Sequence, residues 1–289
     1  MKVTKAVITA AGLGTRVLPI SKSMPKEMLP IVDKPAIQYI VDEVIRSGIK
    51  DILIITSRGK TTIEDHFDRS PDLEVNLLQS GNKEKYESIV KVASMANIHY
   101  LRQKEMLGLG HAVLQAKTFA AGQPIAVLYG DDVVVGDNPA TGQLCAAYEK
   151  YGKGIAGIKP VPTEMLTKVS SVKVEPIAAS HYSVTDMIEK PAAGQEFSNY
   201  SILGRCVLPP SIFEILEKTP KGAGGEIQLT DAMRILATTE GMVGVEYEGV
   251  RYDMGNKLGY MKANVEMALQ HPEIGVEFKK YIENLMGSL

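Results

Sequence analysis

Gly12-Leu13-Gly14-Thr15-Arg16-Val17-Leu18-Pro19-Ile20-Ser21-Lys22-Ser23-Met24-Pro25-Lys26-Glu27-Met28-Leu29-Pro30 follows a short apolar run, Ala6-Val7-Ile8-Thr9-Ala10-Ala11. The run predicts a buried first strand. The glycines behind it let the backbone approach a polyphosphate closely, so that main-chain N–H groups can donate to it. Arg16 and Lys26 place two cations in the same loop. A dinucleotide fingerprint would need a third glycine at position 17 and an acidic residue ending the second strand. The chain has Val17, and the strand finishes Ile55-Thr56-Ser57. A P-loop would need Gly-Lys-Ser/Thr, which is also absent. The loop therefore serves a different phosphate-binding design.

Outward from the loop, apolar strands alternate with amphipathic helices. Ile37, Ile40, Val41, Val44 and Ile45 fall on one helical face over residues 35–48, with Pro35 at its start and Gly48 at its stop. Strands are expected at 51–56, 124–129 and 154–161, and helices at 111–120 and 143–151. Unbroken apolar strands between helices predict a parallel sheet covered on both faces. After about residue 160 the pattern changes to strands at 170–175, 182–189 and 200–207, helices at 209–218 and 227–239, and a strand at 242–248. A polar-faced helical tail covers about 256–286. No linker divides the chain, so a single domain is expected, with a nucleotide-binding part over about 1–160, a sugar-side part over about 161–255 and the tail beyond.

Composition excludes several classes. With 289 residues, 45% hydrophobic and 23% charged, the chain can bury a sizeable core. A net charge of −2 speaks against bulk nucleic-acid binding. No stretch approaches the roughly 18 apolar residues of a membrane span. The opening Met1-Lys2-Val3-Thr4-Lys5 is too polar for a signal peptide, and Cys145 and Cys206 lack metal or disulfide spacing, so a reduced cytoplasmic protein is expected. His66, His99, His111, His181 and His271 share no ligand spacing either.

The loop resembles that of the bacterial UTP–glucose-1-phosphate uridylyltransferases, a branch of the sugar-nucleotide pyrophosphorylases. The resemblance continues through Val32 to Tyr39, Arg102-Gln103, Gly108 to Ala112, Glu189-Lys190-Pro191, Gly204-Arg205, Gly222 to Asp231 and Asp253 to Tyr260. It implies a Rossmann-like, three-layer α/β fold with a mixed sheet, of the nucleotide-diphospho-sugar transferase type, with a C-terminal helical extension. It also implies attack by the phosphate of glucose 1-phosphate on the α-phosphorus of UTP, with Mg²⁺, and a homodimer or homotetramer. Both substrates are anions, so the protein's task is to position and neutralise them; the attacking phosphate already is the nucleophile.

On this resemblance Arg16 and Lys26 bind the triphosphate and Lys190 holds the sugar phosphate. Gly14 and Thr15 belong to the phosphate loop. Ala10, Ala11, Gly12, Glu27 and Gln103 surround uracil, with Gly108 and Gly110 admitting the nucleoside. Glu189 and Glu226 accept from sugar hydroxyls, and Gly204 admits the ring. Asp131 lies just past a buried strand, where open α/β sheets place ligands, and Asp253 lies in a turn before Gly255. Two carboxylates that meet in space suit Mg²⁺, which takes one or two protein oxygens beside phosphate and water. Asp132 is either an outer neighbour of that site or a turn residue.

The chain departs from the family at Thr9, where proline is usual, and at Lys168-Val169-Ser170-Ser171, near a usual Tyr-Gly pair. Ser170 in place of a sugar-facing glycine would set a hydroxymethyl group beside the hexose and raise KM for glucose 1-phosphate. The alternatives are a thymidylyl- or N-acetylhexosamine-specific relative and a regulatory homologue with little turnover.

Overall fold

The computed structural model describes residues 1–288. The first half contains β1 (Lys5–Thr9), short strands β2 (Pro30–Ile31) and β3 (Lys34–Pro35), α1 (Ala36–Arg46) and β4 (Asp51–Thr56). Then come α2 (Thr61–Phe67), α3 (Pro71–Gln79), α4 (Lys83–Ser94), β5 (Asn97–Arg102), α5 (Leu109–Leu114) and α6 (Lys117–Ala120). Next are β6 (Ile125–Tyr129), β7 (Asp132–Val135), α7 (Ala140–Tyr151) and β8 (Gly154–Pro160). The second half contains β9 (Ser170–Ala178), β10 (His181–Glu189), β11 (Tyr200–Leu208), α8 (Ile212–Lys218) and α9 (Leu229–Thr239). It ends with β12 (Met242–Glu246), β13 (Val250–Asp253), α10 (Lys257–Gln270) and α11 (Gly275–Met286).

Nine strands form one mixed sheet in the order β5-β4-β1-β6-β11-β8-β12-β10-β9. The first four are parallel, as the apolar runs predict. The expected parallel series does not extend to β8. Antiparallel β11, from the second half of the chain, lies between β6 and β8. A long-range insertion of this kind has no local sequence signal.

Both faces of the sheet are buried. Ala6 and Ile8 of β1 pack on one face with Ile37, Ile40, Val41 and Val44 of α1 and with Leu144 and Tyr148 of α7. Val7 packs on the other with Val113 of α5, Phe213 of α8 and Met233 of α9. Alternate residues of one strand thus enter two cores, which is why the strand reads as an unbroken apolar run.

Other departures are local. The expected helix at 111–120 is broken between α5 and α6, and α2, α3, α4 and β5 stand where no element is expected. The tail divides where Pro272 follows His271, since proline removes a donor and restricts the residue before it. Asn256 caps α10, its side-chain oxygen accepting from Gly259 N–H at 2.7 Å. Among the described residues, no helix is long and apolar enough to cross a membrane.

Candidate active site

The carboxyl ends of the central strands open on a cleft with two cavities. One, of about 250 Å³, is lined by Ala11, Gly12, Lys26, Gln103, Gly108, Tyr129 and Asp131 among others. The second, of about 170 Å³, is lined by Arg16, Tyr129, Asp131, Ser170, Glu189, Gly204, Thr230, Arg251 and Asp253 among others. They share Leu109, Tyr129 and Asp131, so the cavities meet where β6 ends.

At this junction the charges are paired. The Lys26 ammonium is hydrogen-bonded to the Asp131 carboxylate. Arg16 reaches Asp131 Oδ2 at 3.7 Å and Asp253 Oδ2 at 3.4 Å. Burial works to raise the Asp131 carboxyl, but Lys26 outweighs it and holds Asp131 below the usual aspartate range. Burial likewise pulls the Lys26 ammonium down, yet Asp131 and Glu27 carry it above the usual lysine value. Both groups are therefore ionised at neutral pH.

Gly255 explains how these groups converge. A Cβ at this position would lie 2.5 Å from Arg16 Nη2, 2.6 Å from Asp131 Oδ2 and 2.9 Å from Asp253 Oδ1. Three charged side chains fill the space that a larger residue would take. The Asp-Met-Gly turn hinted at Gly255, but its reason is visible only here.

The two carboxylates fit a magnesium ion. Asp131 and Asp253 converge on one point beside the cations expected to meet phosphate. Among the described residues no group of three or more His, Cys, Asp or Glu side chains could hold a metal ion. Two protein carboxylates are a sufficient set for Mg²⁺ where phosphate oxygens and water complete the shell.

Several expected contacts are corrected. Glu27 is fully buried, and both its oxygens accept from Lys60 Nζ at 2.9 and 2.8 Å, so it does not face a base. Lys60 also donates to the Ala10 carbonyl at 2.6 Å, so the pair braces the loop behind the cavity. Burial pushes the Glu27 carboxyl up and the Lys60 ammonium down. Nothing in the sequence around Lys60 signalled this pairing. Glu226, expected at the hexose, lines the first cavity, which adjoins the second.

Ser170 lines the second cavity with its hydroxyl engaged within the protein. It is only 4% exposed; its hydroxyl accepts from Ile202 N–H at 3.1 Å and lies 3.2 Å from Ser201 Oγ. Gly204 has φ +73°, and a Cβ there would lie 2.6 Å from the Asp132 carboxyl carbon. The left-handed backbone and the buried Asp132 carboxylate both require glycine here, and Gly204 also lines the second cavity. Asp132 is 4% exposed and bonded to Arg205 and Arg251, which makes it a buried neighbour of the site and not a free turn residue. Gly108 and Gly110 pack against the chain at Ile227, with Gly110 N–H donating to its carbonyl at 2.8 Å.

Other expected residues fall in place around the cleft. Ala10, Ala11 and Gly12 follow β1, with Gly14 in a left-handed turn before Thr15 and Arg16. Gln103 Nε2 donates to Gly108 O at 3.0 Å and lies 3.0 Å from His111 Nδ1. Its amide hydrogens are thereby engaged, and its carbonyl oxygen remains as the acceptor. Glu189 accepts from Thr230 Oγ1 at 2.7 Å in the second cavity, and burial raises its carboxyl above the usual value. Lys190 follows with φ +47° and an exposed side chain, and it lines neither cavity.

Comparison with known proteins shows the family. Residues 5–270 match the nucleotidyl transferase family. The chain is 50% identical to the UTP–glucose-1-phosphate uridylyltransferase YngB of Bacillus subtilis strain 168, over 99% of this chain and 96% of that protein. A second B. subtilis UTP–glucose-1-phosphate uridylyltransferase is 47% identical, over 99% and 98%. Among solved structures, UTP-bound UGPase from Acinetobacter baumannii superposes with TM-score 0.88 at 38% identity, covering 98% of this chain and 99% of that one. A UDP-glucose pyrophosphorylase complexed with UDP-glucose gives TM-score 0.85, also at 38% identity, covering 93% and 100%.

Proposed function

The chain belongs to the nucleotidyl transferase family, and from that premise we propose that it is a UTP–glucose-1-phosphate uridylyltransferase. It transfers the uridylyl group of UTP to glucose 1-phosphate, giving UDP-glucose and pyrophosphate. An oxygen of the sugar phosphate forms the new bond to the α-phosphorus as the bond to the pyrophosphate oxygen breaks. The observation that carries this reading is the meeting of two cavities at Asp131, with Lys26 and Arg16 at the junction.

The nucleotide takes the first cavity, where Gln103 offers its carbonyl to the uracil N3–H and the Ala10–Gly12 backbone lies alongside. Glucose 1-phosphate takes the second, where Glu189 accepts from a sugar hydroxyl, and the neighbouring exposed Lys190 is assigned to its phosphate. Arg16 and Lys26 neutralise the triphosphate and the charge that develops as pyrophosphate departs. Mg²⁺ is the cofactor this reading calls for: Asp131 and Asp253 would hold it, and it would supply Lewis-acid neutralisation of the phosphate oxygens. We place the enzyme in the cytoplasm as a homodimer or homotetramer; exposed Leu258, Met261, Val276, Tyr281 and Met286 on α10 and α11 support association.

A pyrophosphate-release assay over a matrix of nucleoside triphosphates and sugar 1-phosphates tests the reading. The UTP and glucose 1-phosphate pair is expected to give the highest kcat/KM. Preference for dTTP, for N-acetylglucosamine 1-phosphate, or no turnover with any pair would overturn it.

A further inference from the structure

The geometry points to Arg251 and Asp132 as positioning residues that set the separation of Asp131 and Asp253; this rests on the proposed metal role of those two carboxylates. Asp131 and Asp253 sit at one end of the two-stranded β7–β13 ribbon, which is not hydrogen-bonded into the nine-stranded sheet. Asp132 stands opposite Asp253 in its register, and Met254 N–H donates to Asp131 O at 2.8 Å. The ribbon's apolar residues Val133 and Tyr252 pack in the core with α1, which leaves its charged end to be fixed by polar contacts.

Asp132 supplies them. Arg251 Nε, from the partner strand, donates to Asp132 Oδ1 at 2.9 Å and Oδ2 at 2.8 Å. From the main sheet, Arg205 of β11 reaches Asp132 Oδ1 at 3.3 Å and also bonds its main-chain carbonyl. Arg205 is itself held by Glu43 of α1, with Nε 3.1 Å from Oε1. Two carboxylates and two guanidinium groups thus form a charge-balanced, largely buried chain from α1 through β11 to the ribbon. Gly204 leaves the room that the Asp132 carboxylate occupies. The chain ends one residue from Asp131 and on the same rung as Asp253.

Outer partners of metal-binding groups typically change metal affinity about 10–100-fold when altered. Lysine at 251 keeps the charge but loses the planar fork that spans both Asp132 oxygens. The experiment measures Mn²⁺ held on the protein–UTP complex by water proton relaxation. Arg251→Lys and Asp132→Asn are compared with wild type and with Asp131→Asn, and thermal melts confirm that each is folded. Arg251→Lys is expected to weaken Mn²⁺ binding about tenfold, by more than it weakens glucose 1-phosphate binding measured by calorimetry. If Asp131→Asn weakens Mn²⁺ binding but folded Arg251→Lys and Asp132→Asn do not, the positioning role is wrong. If sugar-phosphate affinity falls and Mn²⁺ binding does not, Arg251 touches substrate instead. If Asp131→Asn leaves Mn²⁺ binding unchanged, the metal assignment fails, and the positioning role falls with it.

Discussion

The Lys26 ammonium is hydrogen-bonded to the Asp131 carboxylate across 105 residues of sequence. The cation assigned to phosphate and the carboxylate assigned to metal thus neutralise each other in the ligand-free cleft. Substrate and metal can replace each partner with an equivalent opposite charge, so neither need be left buried and unpaired. Removing one partner alone leaves such a charge, and unpaired buried charge is costly.

The first expectation concerns the cations. Lys26→Ala and Arg16→Ala should each lower kcat about 10²–10³-fold, the scale of losing one preorganised contact to a developing charge. Arg16 has its side chain 62% exposed, so its loss should hardly change the melting temperature. Steady-state kinetics at saturating substrate decide this. A loss under about fivefold would put the side chain outside the reacting centre.

The second concerns Asp131 and pH. Asp131 is held below its usual 3.8 and Lys26 above its usual 10.5, so neither should produce an inflection in the pH–rate profile between those values. Asp131→Asn removes the larger of the two carboxylates that together outweigh burial at Lys26. The Lys26 ammonium should then titrate lower, and residual activity should gain a falling limb on the alkaline side. A profile and a kcat that match wild type in the folded variant would contradict both the pairing and the metal role.

Gly255→Ala is the third. The added methyl must push aside Arg16 Nη2, Asp131 Oδ2 and Asp253 Oδ1. These are side-chain ends, so the fold should survive while the carboxylates separate. We expect kcat to fall by about 10²-fold, a higher Mg²⁺ requirement and a nearly unchanged thermal midpoint. Equal activity at equal Mg²⁺ would show that the side chains relax without consequence.

The fourth concerns Ser170. Its hydroxyl is committed to Ile202 N–H and Ser201 Oγ, although the residue lines the sugar-side cavity. Ser170→Gly should therefore leave KM for glucose 1-phosphate within about threefold. It should instead cost stability, on the order of 1–3 kcal/mol for buried groups left without a partner. Chemical denaturation and substrate titration separate the two. A clear drop in KM with unchanged stability would restore Ser170 to the sugar contact.

The sequence by itself determined the reaction family and the parallel half of the sheet. Those features are local: β1, β4 and β6 are apolar because each is buried on both faces, and the Gly12–Pro30 loop is continuous in the chain. It also marked Arg16, Lys26, Asp131 and Asp253, whose residue types sit at strand ends and turns. Tertiary structure alone decided where β11 enters the sheet, that Lys60 rather than a base satisfies Glu27, and that Asp132 occupies the space left by Gly204. Each of these joins residues far apart in the chain. A buried charge carries no mark in the sequence of which distant partner will neutralise it; only packing brings Glu43, Asp132, Arg205 and Arg251 within hydrogen-bonding reach.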